Sequence, residues 1–405
     1  MPSTLTWLDY SEKERRKNLD IVSLFKNQDT RDELGLGRIR DAFADALFPG
    51  TGTVQTRARY FLFIPWIYKK LEDREVTSAQ IGEKARQEEI RLIFALEKSG
   101  EKDGVIGIEA RKELQRLPSN IYWLGLNSWG IRPFSGSQSD YHHSLDRWYK
   151  NRHTNRNDDK EPVSELFRNN WHSMIPAPPN DFPGTAKFGL SETEAVFLRD
   201  QIRLCRPHSL LAFLVMKGKA VDQVQFPWMH HQYHDFPTHN KRELQHARNV
   251  SEVMHGAALL YNLMLAELTT NDERIKEYGD QLKEWGRHVD ADLERFRDWS
   301  REEFWALVRN LAKVHPRTRD FINAWIDLVI TRGIAKSTAK SASARSLIRF
   351  RETELKGSLA RLENVSAREL WKGAAGAGQI DFRWPNAQVI VNDILNGLEA
   401  RSKHA

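Results

Sequence analysis

The sequence predicts a mainly α, multi-domain helical protein with few short strands, and three observations carry that prediction. Apolar residues recur at three- and four-residue spacing in segment after segment, the pattern of helices that bury one face. Segments with the strict alternation of half-buried strands are scarce. The chain has 405 residues, 40% hydrophobic and 29% charged, with 13 Trp and 19 Phe. Such a chain is globular and long enough for two or three domains with a sizeable core.

Taken in order, SEKERRKNLDIVSLFK (11–26) sets Leu19, Val22 and Phe25 at helical spacing, and RIRDAFADALF (38–48) puts Ile39, Phe43, Ala46 and Leu47 on one stripe. In TVQTRARYFLFIPWIYKKLE (53–72) Tyr60–Tyr68 is an apolar run of nine residues, and from Tyr60 to Ile64 apolar residues surround the helix on every side, which marks a buried helix. The nine are too few to cross a membrane, which needs about 20. Pro65 fits a kink or the first turn of a following helix. SLLAFLVM (209–216) and GAALLYNLMLA (256–266) read as buried helices, and Ser191 and Glu194 have the spacing of a capping box. Further helices are predicted at 80–97, 108–117, 119–129, 241–269, 272–296, 301–313, 318–331, 343–362 and 386–399.

Loop chemistry separates these runs. RPFSGSQSD (132–140), KNRHTNRNDDKEP (150–162) and IPAPPNDFPGT (175–185) read as loops, and GIAKSTAKSASARS (333–346) as a small-residue basic linker. The expected organisation is an N-terminal helical domain at 1–131, a loop-rich connection at 132–185, a central helical domain at 186–332, the linker at 333–345 and a C-terminal helical unit at 346–405.

Cys205 is the only cysteine, which excludes an intramolecular disulfide and multi-cysteine zinc or iron–sulfur sites; with no activating base evident, it reads as packed. The N-terminus carries charges where a signal peptide has its apolar region, so a cytoplasmic location is expected. The net charge is +6. Residues 331–361 hold eight Lys or Arg against Glu352 and Glu354, a net of +6, so the other 374 residues sum to zero. An excess confined to one segment points to an anionic partner there.

Two stretches have the chemistry of nucleic-acid contact. At 38–64 a helix, an FPGTG turn and a second helix starting at Thr53 or Val54 form a helix-turn-helix-like unit. Gln55, Thr56, Arg57 and Arg59 would then fall in its first two turns, where such helices meet base edges. The competing reading is a helical hairpin whose second helix is core. In the C-terminal helix, Arg349 and Lys356 fall about 40° and 20° from Arg345 on a 100° wheel, beside a buried face of Ile348, Leu355, Leu359 and Leu362. Lys336 and Lys340 extend this stripe, which suits phosphate contact without sequence specificity. A solvated charged face is the alternative.

Six of the 14 histidines lie in 230–255. His230 and His234 are four apart, but Pro227 and Pro237 leave little room for a helix, and no glutamate follows the first histidine as a zinc protease requires. A second arrangement, that of an all-helical metal-dependent phosphohydrolase, would use His208, His234, Asp235 and a later Asp272 or Asp280. A polar loop is the simpler reading. KGAAGAGQIDF (372–382) and ELGLGRIRD (33–41) read as turns, and Glu354-Leu355-Lys356 is half of a nuclease motif on a helix without a strand-borne partner acid.

The stretches TWLDYSE (6–12), DELGLGRIRDAFADALFPGTGTVQTRARYFLFIPWIY (32–68), LPSNIYWLGLNSWGI (117–131), FGLSETEAVFLRD (188–200), HGAALLYNLMLAE (255–267) and LKGSLARLENV (355–365) resemble an uncharacterised bacterial family, a domain of unknown function. The resemblance covers most of the chain. It implies no particular activity or catalytic residues, and it loosely implies gene neighbourhoods of DNA processing and antiphage defence. The expectation is therefore a non-catalytic, cofactor-free nucleic-acid-binding or adaptor component that contacts the DNA backbone and other proteins of its system, not a membrane. The alternatives are a metal-dependent phosphohydrolase or nuclease at His208, His234 and Asp235, and a structural interaction subunit.

Overall fold

The computed structural model describes residues 33–157, 169–220 and 223–399, without the side chains of 153–157. The helix expected at 11–26 and the TWLDYSE stretch lie outside the described residues. In chain order the α-helices are α1 (Gly37–Leu47), α2 (Tyr60–Asp73), α3 (Ile81–Lys98), α4 (Pro118–Ser128), α5 (Gln138–Asn157), α6 (Glu192–Cys205), α7 (Leu210–Lys217), α8 (Thr238–Leu268), α9 (Asp272–Ala291), α10 (Leu293–Arg297), α11 (Arg301–Leu311), α12 (Pro316–Ile326), α13 (Ala342–Lys356), α14 (Val365–Glu369) and α15 (Trp384–Glu399). Short 3-10 and π turns complete the regular structure, and the described residues contain no strand. The mainly α class is as predicted. The described residues divide into two compact units: one takes 33–42 and 245–380, the other the described part of 43–244 and 381–399, with boundaries falling inside α1 and α8.

The 43–244 unit is organised around α2, whose residues Tyr60 to Tyr68 are all buried. Phe61 stacks on Trp129 with ring centroids 3.8 Å apart, and Tyr60 lies 5.2 Å from Tyr122 and 5.6 Å from Phe188. Pro65 sits inside a continuous helix rather than at the start of a new one. An interior proline costs about 3 kcal/mol, whereas each large apolar side chain fully buried returns roughly 1.5–3 kcal/mol. The packing wins. In the turn before α2, Gly50 has φ of +85°, and a Cβ there would stand 2.4 Å from the Trp129 indole nitrogen, which donates to the Pro49 carbonyl at 2.8 Å.

Beneath α2 lies a buried polar cluster. Glu72 accepts from the Tyr141 hydroxyl, from Asn170 at 2.9 Å and from the Trp171 indole at 3.1 Å. Gln138 donates to the Tyr68 hydroxyl at 2.6 Å and to Ser119 Oγ at 2.9 Å. Glu89 accepts from the Ser119 amide at 2.8 Å through one oxygen, while its other oxygen, also buried, has no hydrogen-bond partner among the described residues. Complete burial pushes the Glu89 pKa up to about 7. The capping box of α6 forms as expected: Ser191 Oγ accepts from the Glu194 amide at 3.3 Å, and Glu194 accepts from the Ser191 amide at 2.9 Å.

Residues 132–137 are non-helical as expected, but α5 takes in 138–140 and corrects the part of the loop expected at 150–162 that is described, 150–157. Its mean character is polar, but Tyr141, Leu145 and Tyr149, four apart, are buried. The helix expected at 108–117 is instead a single 3-10 turn, Arg111–Glu113, preceded by left-handed Gly104 and Gly107.

The other unit packs around α8. The Trp285 indole donates to the Glu252 carbonyl at 2.8 Å and the Trp325 indole to that of Val253 at 2.9 Å, so α9 and α12 are pinned to one turn of α8. Gly256 makes this approach possible, because a Cβ there would lie 2.2 Å from the Trp285 ring. The helix expected at 318–331 ends at Ile326 and continues as a π turn, Asp327–Thr331. The one expected at 343–362 stops at Lys356, where Gly357 takes φ of +54°.

Candidate nucleic-acid interface

The linker and α13 contain all the expected phosphate-contacting cations. Residues Ala335–Lys340 form a 3-10 turn, and Ser341 caps α13 by accepting from the Ala344 amide at 3.3 Å. The cations then separate into two groups according to what holds them.

One group faces outward. Lys340 is exposed and has no hydrogen-bond or ion-pair partner among the described residues, and the side chain of exposed Arg332 is likewise unpaired there. Lys336 pairs with Asp290, and Arg349 pairs with Glu363 at 2.8 Å; both pairs are about half exposed. Pairs of this kind contribute about 0–1 kcal/mol. Their cations can exchange a carboxylate for a phosphate at little cost.

The other group is part of the fold. Arg345 forks onto Glu267 of α8 at 2.6 and 2.7 Å and donates to the Ala339 carbonyl at 2.7 Å; the bond to Glu267 raises its pKa. Lys356 turns inward, donating to Glu33, to the Tyr261 hydroxyl at 3.0 Å and to Glu352 at 2.9 Å. Glu352 is fully buried and also accepts from the Tyr261 hydroxyl at 2.6 Å and from the Arg361 and Leu362 amides at 2.9 Å each. Burial acts to raise the Glu352 pKa, but Lys356 and these donors hold it below the ordinary carboxylate value. Arg351, 2% exposed, donates to the Leu34 carbonyl at 2.9 Å, to Thr318 Oγ1 at 2.7 Å and to Glu354 at 2.8 Å.

The expected buried face of α13 is therefore corrected. Ile348 and Leu362 are buried, but Leu355 and Leu359 are 43% and 68% exposed, while Arg351 and Glu352 are interior. For Leu359 the wheel fails because the helix ends before Gly357, and the chain then folds back so that the Arg361 and Leu362 amides reach Glu352. Glu354 pairs with Arg317 and Arg351 in this network, which accounts for both acidic and basic residues of the half nuclease motif.

The N-terminal candidate is corrected in its local structure. α2 begins at Tyr60, not at Thr53 or Val54, so Gln55, Thr56, Arg57 and Arg59 precede the helix. Gln55 is 2% exposed and closes its own turn, accepting from the Gly52 amide and donating to the Gly50 carbonyl, both at 3.1 Å. Thr56 Oγ1 donates to the Gly104 carbonyl at 2.6 Å. Arg57 forks onto Asp393 at 2.7–3.1 Å, and the Ala58 amide donates to the same carboxylate at 2.9 Å. Burial acts to lower the Arg57 pKa, yet Asp393 raises it above the ordinary value. Arg59 binds Glu194 at 2.7 Å and the Lys187 carbonyl at 2.8 Å. Thr56, Arg57 and Arg59 thus anchor the turn to α6, α15 and neighbouring loops.

The histidine candidates do not converge on a metal site. His230 is 5% exposed, with its ring 4.5 Å from that of His231 and 5.5 Å from Phe236. Burial, then His231, depresses its pKa to about 4. His234 and Asp235 lie on the 3-10 turn Tyr233–Asp235, not on an α-helix. The carbonyl of His208 accepts from Asn240 at 3.1 Å and has the His239 ring at 2.8 Å. Among the described residues no group of three or more His, Cys, Asp or Glu is placed to hold a metal ion. Cys205, expected to be packed, is exposed at the end of α6.

A family model described as a family of unknown function, DUF6361, matches residues 2–397. The chain belongs to DUF6361. No curated protein and no solved structure matches this DUF6361 chain. Among the described residues, no helix is long and apolar enough to cross a membrane.

Proposed function

We propose that this DUF6361 protein is a non-catalytic, cytoplasmic component of a bacterial DNA-processing or antiphage-defence system, binding the nucleic-acid backbone through Arg332, Lys336, Lys340 and Arg349. The single observation that carries the reading is the state of these four cations. They belong to the one segment that contains the whole +6 excess, and they are either unpaired among the described residues or held by half-exposed ion pairs. Arg345 and Lys356 drop out of the contact set because Glu267, Glu352 and Glu33 already hold them. Contacts of this type read charge spacing, not base sequence.

The adaptor role has its own support. Phe350, Leu359, Val365 and Leu370 are each more than 60% exposed within the same part of the chain, an apolar content suited to a protein partner.

The test is fluorescence anisotropy of labelled duplex DNA with the wild-type chain and with Lys336→Ala/Lys340→Ala/Arg349→Ala. Saturable binding that weakens in the variant supports the reading. Wild-type binding that is absent at low salt, or unchanged in the variant, removes it.

A further inference from the structure

A different cationic feature lies between α11 and α12. The two helices enclose an open depression of about 360 Å³ whose wall contains three arginines and no lysine: Arg301 and Arg309 from α11, and Arg319 from α12. The floor is fixed. Trp305 is 4% exposed, and its indole donates to Asn323 Oδ1 at 2.9 Å, tying the helices together across the depression. The Arg319 guanidinium carbon lies 5.5 Å from the Trp305 ring centroid, a cation–π placement that restricts the side chain.

The charges are unevenly used. Arg301 pairs with Asp327 at the rim. Arg309 and Arg319 have no hydrogen-bond or ion-pair partner among the described residues, and neither has Glu302, the remaining wall carboxylate. Two planar guanidinium forks thus line one volume with no hydrogen-bond or ion-pair partner among the described residues, beside one carboxylate that is likewise unpaired there. Arginine forks match the oxygens of phosphate in a way that lysine, a point charge, does not. The Glu302 carboxylate on the same wall, unlike Asp327 not taken by an arginine, suits a sugar hydroxyl, which can donate to it.

We infer that this depression is a binding site for a phosphomonoester carried on a sugar, with Arg309 and Arg319 holding the phosphate and Glu302 accepting from a hydroxyl. The volume fits a mononucleotide. The same terminal phosphate occurs on a free nucleoside monophosphate and at a phosphorylated strand end. The inference uses none of the four backbone-binding cations and stands without them.

Isothermal titration of the full chain with a nucleoside 5′-monophosphate and with the parent nucleoside tests it, beside 5′-phosphorylated and 5′-hydroxyl single strands. The expected result is saturable binding of the monophosphate, about tenfold or more weaker for the nucleoside, and a loss of about tenfold or more in Arg309→Gln and in Arg319→Gln. Arg319→Lys should not restore it. Preference for the phosphorylated over the hydroxyl strand would extend the site to strand ends; equal strands would confine it to free nucleotides. Both arginines are exposed, so the melting temperature should hold in each variant. Failure of both phosphorylated probes to bind, or undiminished binding in both Gln variants, overturns the inference. Duplex binding through Lys336, Lys340 and Arg349 is unaffected by either result.

Discussion

Replacing Glu352 by glutamine tests how the C-terminal cations are divided. The substitution keeps the shape of a fully buried side chain and removes its charge. In the native protein its two oxygens take four donors: the Tyr261 hydroxyl, the Lys356 ammonium and the Arg361 amide on one, and the Leu362 amide on the other. An amide nitrogen in either position faces at least one backbone N–H, so one buried donor is orphaned whichever way the glutamine turns. Hydrogen bonds to charged groups contribute roughly 1.5–3 kcal/mol each, and breaking a buried pair by removing one partner costs about 3–5 kcal/mol. Since Lys356 keeps Glu33, the expected loss is at the lower end, about 3 kcal/mol. Urea denaturation followed by tryptophan fluorescence measures it, Trp285 and Trp325 lying in the same unit. The wild-type advantage should shrink as pH falls. The folded pKa of Glu352 is depressed, so its contribution is complete above the unfolded carboxylate pKa and is lost as pH drops through the folded value. A change below about 1 kcal/mol at neutral pH would refute the claim that this network holds the fold.

Glu89→Gln should behave in the opposite sense with pH. The folded pKa of Glu89, about 7, lies above the unfolded value near 4.5. The wild type therefore loses stability relative to the variant as pH rises from about 4.5 to 7, by about 3 kcal/mol in all, and then levels off; denaturation at pH 5 and pH 8 reads the difference. Arg57→Ala should destabilise by about 3 kcal/mol, because it leaves Asp393, whose side chain is 9% exposed, with a charge and no fork, while duplex affinity measured in the folded protein stays the same. Gly256→Ala should cost about 1–3 kcal/mol by overpacking Trp285, measurable as a lowered melting temperature.

Much of the fold is legible in the sequence because its helices carry strong periodicity. The apolar run Tyr60–Tyr68 is core, and the Ser191/Glu194 box starts α6. Helix α5 was hidden because its polar residues outnumber a three-residue buried stripe. The candidate site was legible as composition and illegible as pairing. Sequence places Arg345, Arg349, Lys356, Lys336 and Lys340 within one segment, but Glu267, Asp290 and Glu33, which pair with Arg345, Lys336 and Lys356, lie 46 to 323 positions away from them and meet them only through tertiary packing. The same holds for Arg57 and Arg59, whose partners Asp393 and Glu194 come from other helices. Nothing in local spacing distinguishes a cation that anchors a helix from one that waits for a phosphate.

The salt dependence of duplex binding tests that distinction most directly. Plotting log affinity against log salt for the wild type, for Lys336→Ala/Lys340→Ala/Arg349→Ala and for Arg345→Gln separates outward from inward cations. Each phosphate contact contributes about 0.9 to the slope, so the triple variant should flatten it by about 2.7, whereas Arg345→Gln should leave it unchanged. Equal slopes in wild type and triple variant, or a flattening in Arg345→Gln instead, would contradict the account.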